Sequence, residues 1–280
     1  MQPTSKIANL SFESYLALFE KHGGTDANYL QTHFTRFHNT YLRLASTWNK
    51  SDNQTVVDVG AHFLHQALMY AVEGFHVEAI NLPTTFKKAK VKNLAEAYGI
   101  NLIPSEDLEQ GTCFDSLSDN TADLILFTEI LEHIAFNPIS FWTEVYRILK
   151  PGGRILVTTP NYYSIAGRAW DIPRFLGGLG GGITVNEILE VNTYGHHWKE
   201  FSMKEVQAYF RLLSPDFVCL KSLYTDDRGP GTPRESKVSE WLMGRIENFR
   251  PNLHLEIGLM EKEVGIAIKP NWSKVKRQTT

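Results

Sequence analysis

Cysteine is scarce in this 280-residue chain: Cys113 and Cys219 stand far apart and in no metal-ligand spacing. That rules out a disulfide framework and a cysteine-based zinc site. With no signal-peptide pattern at the N-terminus, the two are read as reduced thiols of a cytoplasmic protein. Long apolar runs are missing as well. Lys, Glu, His or Asp interrupts every hydrophobic stretch short of the ~20 residues that a membrane span needs, so no integral membrane segment is expected. Nor is there a surplus of positive charge: 28 Lys and Arg against 31 Asp and Glu give a formal charge of −3. The chain therefore offers no electrostatic footprint for nucleic acid, and its one basic cluster, KVKRQTT at 274–280, reads as a solvated tail. Internal repeats are absent too.

What the chain does hold is apolar material, 42% of residues with 12% aromatic, enough to bury one large core. The reading is a single embellished domain over residues 51–280, preceded by a helical cap at 1–50. In the cap, helical patterns run from Phe12 to Lys21 and from Asp26 to Trp48. On the second, Leu30, Phe34, Phe37, Tyr41 and Leu44 recur at three- and four-residue spacing and make one apolar face. That face is expected to pack on the sheet domain, and the N-terminal helices are the candidate homodimer surface. His33 and His38 stand five apart, off the four-residue spacing of a helical metal pair, and are read as interface residues.

Residues 55–82, TVVDVGAHFLHQALMYAVEGFHVEAINL, read as strand, tight turn, helix and second strand. Val56-Val57 runs into Asp58-Val59-Gly60, a helix from about His65 to Glu73 stops at Gly74, and the strand pattern resumes from His76 to Ile80. A polar ligand is expected at the first turn. A nucleotide-type loop carries Gly at alternate positions there, whereas this chain has Gly60, His62 and Leu64. Glycine admits positive φ and lets backbone approach a ligand, so side chains at 62 and 64 should narrow that approach or reshape the loop. His62 and His65 form H-x-x-H inside the turn. They are candidates for a proton acceptor or ion ligands; the competing reading has His62 touching a ligand carboxylate and His65 opening the helix.

Further on, strand and helix patterns alternate: strands at 101–104, 122–128 and 154–159, and a helix at 138–149. Such alternation implies a parallel sheet. Lys150-Pro151-Gly152-Gly153 reads as a turn that ends the helix and reverses the chain. The segment 160–200 then brings Tyr162, Tyr163, Trp170, Arg174, the run LGGLGGG at 176–182, Tyr194, His196 and His197. It is read as an insertion that covers the substrate, with glycines giving the mobility of a lid. The run lacks the Lys-Ser/Thr of a phosphate loop. Ser202 and Glu205 predict a capping box for a helix to Leu213. A sixth strand at 217–224, the Gly/Pro-rich loop 226–236, a helix at 238–248 and strands at 253–257 and 264–268 complete the chain.

Three segments, VVDVG at 56–60, ADLILFTEILEHI at 122–134 and FWTEVYRILKPGGRILVTTPN at 141–161, together resemble the class I S-adenosylmethionine-dependent methyltransferases. The resemblance spans roughly residues 52–165 and is nearest to the branch holding ubiquinone-type O-methyltransferases and small-molecule or saccharide methyltransferases. It implies an α/β fold with a doubly wound, mainly parallel seven-stranded sheet, S-adenosylmethionine as cofactor, and methyl transfer to an oxygen or nitrogen of a small-molecule acceptor. By the same resemblance Asp58, Gly60, Ala61 and His62 hold the methionine part of the cofactor. Asn81, where Asp or Glu is usual, and Leu82 meet the ribose; Asp107 with Leu108 reaches the adenine, with Asp115 as competitor; and Thr128 and Glu129 line the site.

For the chemistry itself, His133, His196 and His197 are the candidate proton acceptors, and Tyr162 joins them as a catalytic candidate. Tyr162, Tyr163 and Trp170 could form an aromatic wall. In the ubiquinone-type enzymes the residues matching Glu129, Glu132 and His133 are associated with a divalent metal, yet many relatives share E-x-x-E-H without one, and no metal ligand is assigned. Two other readings stay open. The changes at 62, 64 and 81 could leave a methyltransferase-like binding or regulatory protein without cofactor use, or His62, His65, Glu129 and His133 could build a metal-dependent enzyme.

Overall fold

The computed structural model describes residues 5–267 except 49–50, 52, 166, 171, 173–175, 178–181, 191–194 and 230–235. Its strands are β1 Thr55–Val59, β2 His76–Asn81, β3 Ile100–Pro104, β4 Ala122–Thr128, β5 Leu149–Pro160, β6 Phe217–Thr225 and β7 Asn252–Leu259. They form one seven-stranded sheet in the order β3-β2-β1-β4-β5-β7-β6. β7 runs antiparallel to both neighbours, and every other pairing is parallel. The expected doubly wound, mainly parallel sheet is therefore present. From β1 the chain moves outward to β2 and β3 and then returns to place β4 on the other side of β1. The loops leaving β1 and β4 diverge, and a crevice opens at their carboxyl ends.

Helices cover both faces: α1 Phe12–Glu20, α2 Ala27–Ala45, α3 Ala67–Val72, α4 Pro83–Phe86, α5 Ala89–Tyr98, α6 Ile139–Ile148, α7 Val185–Glu190, α8 Met203–Leu213 and α9 Lys237–Arg245. Successive strand residues point to opposite faces, which sorts the apolar runs into two cores. Val57, Ile125, Phe127, Ile155 and Val157 face α6 and α8, packing against Trp142, Val145, Val206 and Phe210. Val56, Leu124, Leu126 and Leu156 share the opposite core with Leu30, Phe37, Tyr41 and Leu44 of α2 and with Tyr15 and Phe19 of α1. The apolar face expected on α2 thus lies against this chain's own sheet. Asp26 starts α2 by accepting the Tyr29 N–H, and Ser202 with Glu205 makes the expected capping box on α8.

Several expectations need correction. The helix after the first turn starts at Ala67 rather than His65, because His65 and Gln66 still belong to the turn. Lys150–Gly153 is not a turn between elements: β4 pairs with Leu149 and then with Arg154, so the segment bulges within β5, with Gly152 at φ 79°. The helix expected at 238–248 ends at Arg245 and is followed by a 3-10 turn at Glu247–Phe249. No strand forms at 264–267; there the Asp216 carboxylate accepts the N–H groups of Glu263, Val264 and Gly265, and Ile268 lies outside the described residues. Helices α4 and α5, between β2 and β3, went unread in the sequence. Arg174, Tyr194 and the tail at 274–280 fall outside the described residues, as do parts of the glycine run and of the 226–236 loop.

Leu30 is wholly buried between α2 and the sheet. Leu30→Ala should lower unfolding stability by about 2–5 kcal/mol, within a single denaturant transition that includes the sheet. A separate early transition would show that the N-terminal helices unfold on their own.

Candidate functional site

The crevice between β1 and β4 is a cavity of about 290 Å³. Its floor is the turn after β1. Gly60 has φ 79°, His62 φ 48° and Leu64 φ 66°, so the backbone keeps the left-handed conformation at all three alternate positions although two carry side chains. Gly60 N–H and Ala61 N–H both donate to the Ile80 carbonyl, at 2.9 and 3.0 Å, and Leu64 N–H donates to the Ala61 carbonyl at 2.7 Å. The loop is not reshaped, then, and each β-carbon held at positive φ stores strain of order 1 kcal/mol. Leu64 is fully buried in the core shared with α2 and does not line the cavity, whereas His62 does. At position 60 there is no such latitude: a Cβ would collide with Ile130 Cδ1.

Every cofactor-binding candidate named from the sequence lines this one cavity. Asp58, at the end of β1, is buried; its Oδ2 has no hydrogen-bond partner, and burial pushes its carboxyl up to about 7. Asn81 donates through Nδ2 to the His62 carbonyl at 3.2 Å, tying the end of β2 to the turn. An ionised Asp or Glu could not make this bond, which gives the unusual amide a structural reason. Asp107 accepts the Glu109 N–H at 3.0 Å through Oδ1 and so caps its own loop while standing in the wall. Its competitor Asp115 is exposed and lies outside the wall. Thr128 donates to Gln66 Oε1 at 2.8 Å. Glu129 holds φ 55°, its N–H bonded to the Thr158 carbonyl and its Oε1 accepting from Thr158 Oγ1, each at 2.8 Å.

The opposite wall comes from α2, which sequence reasoning missed. Tyr29, Arg36 and Phe37 all reach the cavity. Tyr29 packs on the rings of His33, His62 and His65 at 4.3, 4.6 and 5.5 Å, and Arg36 Nη1 pairs with Glu129 Oε2 at 3.1 Å. Their positions repeat at seven and eight residues along one helical face, a signal that the apolar pattern of the same helix had masked. Burial lowers all three imidazoles: His33 falls to about 4, His65 to about 3, and His62 below its ordinary value. They are neutral at pH 7. His65 Nε2 lies 2.6 Å from Thr25 Oγ1, so it is engaged locally, while both His62 and His65 keep a buried Nδ1 without a partner.

Of the four catalytic candidates, only His133 lines the cavity. The His196 carbonyl lies 3.0 Å from His133 Nδ1, and the His196 ring is buried with Nε2 2.7 Å from the Glu187 carbonyl. His197 packs its ring on His133 at 4.8 Å between centroids. Tyr162 bonds through its backbone to Phe201 and meets Tyr163 edge to face, outside the cavity lining. Tyr163 and Trp170 are 46% and 48% exposed and form no cavity wall either. The described part of the insertion therefore braces the Glu132–His133 segment, with Lys199 N–H also donating to the Glu132 carbonyl, and among the described residues α2 supplies the wall facing the turn. Glu132 is 1% exposed; Thr159 donates to its Oε2 at 2.9 Å, its Oε1 has no hydrogen-bond partner, and burial followed by the charge of Glu129 raises its carboxyl well above the ordinary range.

Among the described residues, one set of potential metal donors converges, Glu132, His133 and His197, with donor atoms within 4.8 Å of one another. Glu129 is drawn instead toward Arg36 and Thr158, and His62 and His65 join no such set.

Residues 57–157 match the family model of a methyltransferase domain. No curated protein matches the chain. Among solved structures, the chain resembles the methyltransferase bound to the Trm112 activator of Haloferax volcanii, at 16% identity, TM-score 0.52, and coverage of 90% of this chain and 98% of that one. It also resembles phosphoethanolamine N-methyltransferase 2 of Haemonchus contortus in complex with S-adenosyl-L-methionine (12%, 0.52, 90% and 60%) and geranyl diphosphate C-methyltransferase of Streptomyces coelicolor (12%, 0.52, 81% and 81%). Residues 57–157 thus carry a methyltransferase domain, on a sheet of the order expected from the resemblance to class I S-adenosylmethionine-dependent methyltransferases. S-adenosylmethionine is the cofactor that goes with that domain, and the residues here fit it: an open crevice, a glycine pressed against Ile130, and a buried carboxylate oxygen in need of a partner. No helix of the described residues is long and apolar enough to cross a membrane.

Two outcomes test this geometry. Because the Asp58 carboxyl is raised in the folded protein, the native state holds a proton that the unfolded state releases, and stability falls as pH rises from about 4 to about 7. Asp58→Asn should flatten that slope and stabilise the ligand-free protein at pH 8, by about 4 kcal/mol at most, in denaturant titrations at pH 5 and pH 8. Gly60→Ala should cost roughly 1 kcal/mol or more, since it adds strain at positive φ to displacement of Ile130. A Gly60→Ala variant as stable as the parent would show that the turn relaxes.

Proposed function

We propose that this protein transfers a methyl group from S-adenosylmethionine to an oxygen or nitrogen of a small-molecule acceptor, with His133 receiving the acceptor's proton. The observation that carries the reading is the bonding of His133. A carbonyl can only accept, so Nδ1, beside the His196 carbonyl, is the protonated nitrogen and Nε2 keeps its lone pair. Burial, aided by His197, lowers the imidazole below its usual 6.5, which leaves it unprotonated at neutral pH. It stands in the wall of the same cavity as Asp58, Gly60 and Glu129.

The cofactor would supply an electrophilic methyl on a sulfonium; the chain's task is to hold donor and acceptor in line and exclude water. The Gly60 turn and Asp58 would take the methionine end, Asn81 and Leu82 the ribose, and Asp107 with Leu108 the adenine. His133 would remove the proton of a hydroxyl as its oxygen attacks, or of an ammonium before its freed nitrogen lone pair attacks, and the cofactor would leave as the neutral thioether S-adenosylhomocysteine. The formal charge of −3 supports a small acceptor over nucleic acid. The solved neighbours do not choose the atom, since one is named for transfer to nitrogen and another for transfer to carbon. Loss of cofactor use finds no support in the turn, because Leu64 is packed away from the crevice.

Calorimetry should show binding of S-adenosylmethionine, and a methyl-labelled cofactor should pass its label to hydroxyl- or amine-bearing small molecules. With an accepted substrate, kcat/KM should hold level through neutral pH and fall on the acid side below about 6.5, as His133 takes up a proton. His133→Asn should lower kcat by roughly 10²- to 10⁴-fold and abolish that acid limb. A variant with full activity and an unchanged profile would remove His133 from the chemistry.

A further inference from the structure

The groups that orient His133 come from outside the matched domain: the match ends at residue 157, and the partners of the imidazole lie at 196 and 197, in the segment after β5. We infer that His196 is the positioning residue for His133, its ring tying to α7 the carbonyl that fixes which nitrogen of the base carries the proton. The inference rests on the base reading above and deepens it.

A carbonyl oxygen has two lone pairs, and both of those on His196 are in use. One takes the Trp198 N–H at 3.1 Å, and the other faces His133 Nδ1 at 3.0 Å. The second bond sets the tautomer of His133 only while the backbone at 196 keeps its place. No helix or strand holds it there, since residues 196–200 are irregular. The His196 side chain supplies the hold. Its ring is buried, packs on Trp198 at 5.1 Å between centroids, and places Nε2 2.7 Å from the Glu187 carbonyl in α7. That carbonyl can only accept, so Nε2 is the protonated nitrogen, and Nδ1 stays buried without a hydrogen-bond partner. The bond to α7 is thus made at the expense of burying the other nitrogen unsatisfied, a cost that an apolar ring would not incur.

Both ends of this connection are braced. At the start of α7, Thr184 Oγ1 accepts the Glu187 N–H at 3.1 Å and Glu187 Oε2 accepts the Thr184 N–H at 2.6 Å, a reciprocal cap. Beside His196, the His197 ring meets His133 edge to face at 4.8 Å, while the His197 carbonyl accepts from Arg168 Nη1 at 3.3 Å and Arg168 pairs with Glu200 at 3.1 Å. Two parts of the insertion, α7 and the 3-10 turn Arg168–Trp170, therefore converge on one imidazole. The chemical consequence is direct. In the other tautomer Nε2 would already hold a proton and could not receive one from the acceptor.

His196→Phe keeps a ring and loses the bond to α7, whereas His196→Gln keeps an amide N–H near the place of Nε2. Long-range 1H–15N spectra of the imidazoles, with His133→Asn identifying the His133 signals, should show a protonated Nδ1 in the parent and in His196→Gln, and a shift toward protonated Nε2 in His196→Phe. Thr184→Val, which loosens α7 without touching the crevice, should move the tautomer the same way by less, and it carries the test if His196→Phe does not fold. Circular dichroism and S-adenosylhomocysteine affinity within about twofold of the parent confirm an intact crevice. In methyl-label transfer, His196→Phe should lower kcat about 10- to 1,000-fold, with rescue by His196→Gln, and should add no more than about twofold to the loss in His133→Asn, because it acts through His133. An unchanged His133 tautomer, or the same loss of kcat with and without His133, overturns the positioning role and leaves the base reading standing. A tautomer that shifts while His133→Asn keeps full activity overturns the base reading and leaves His196 as the anchor of His133.

Discussion

The structure turns on the divergence of the chain at the carboxyl ends of β1 and β4. These strands are hydrogen-bonded neighbours, yet one connection leads toward β2 and the other toward α6. Neither can close the gap above the strand ends, and polar groups there are left to find partners in whatever enters. Asp58 shows the consequence. Its backbone is satisfied by the sheet, and its side chain is buried at the strand end with one oxygen unpaired. Burying an unpaired polar group costs free energy, so its persistence at this point marks a place where stability has been given up for a site.

The same trade recurs along the rim. His62, Leu64 and Glu129 are L-residues held at positive φ, and each borders the crevice or its turn. Glu129 is kept there by two bonds to Thr158 and a salt bridge to Arg36. Leu64 is kept there by burial. Strain of this kind survives only where the surroundings over-determine the backbone, and here the surroundings are two cores and the N-terminal helix. That helix is part of the same packing unit as the sheet, which lets it place side chains in the crevice with the precision of a core element.

How much of this was legible follows the physics of each signal. The sheet was readable because buried parallel strands are continuous apolar runs, as at 55–59, 122–128 and 154–159, and because glycine, proline and capping residues punctuate them. The turn at 60–64 was readable in place, but whether its side chains narrow the approach or reshape the loop was not. Histidine and leucine discourage positive φ on their own, but tertiary packing overrides that preference, and one sequence does not reveal it. Asp107 was ambiguous between capping and lining, and it does both. Arg36 was invisible for another reason. Charged residues on a surface helix are ordinary, and only the crossing of α2 over β1 and β4, a tertiary fact, turns this one inward. His196 and His197 lie beside His133, but which histidine faces the cavity depended on a carbonyl, and carbonyls carry no sequence signal.

The charge state of the crevice links these features. His33, His62, His65 and His133 are neutral at pH 7, Arg36 is offset by Glu129, and Asp58 sits near its own titration point. Without ligand, then, the part of the crevice built by the turn and α2 is close to neutral, which is the least costly state for side chains withdrawn from water, and the acidic side chains Glu106 and Asp107 stand apart from it in the wall after β3. A sulfonium cofactor with an amino-acid end carries one net positive charge. In the proposed binding mode that charge favours the ionised form of Asp58, since an adjacent cation lowers a carboxyl that burial has raised. Charged imidazoles at positions 62 and 65 would oppose the same ligand. In that mode, the burial that makes these histidines neutral is what would allow a turn carrying imidazole to do the work of one built from glycine.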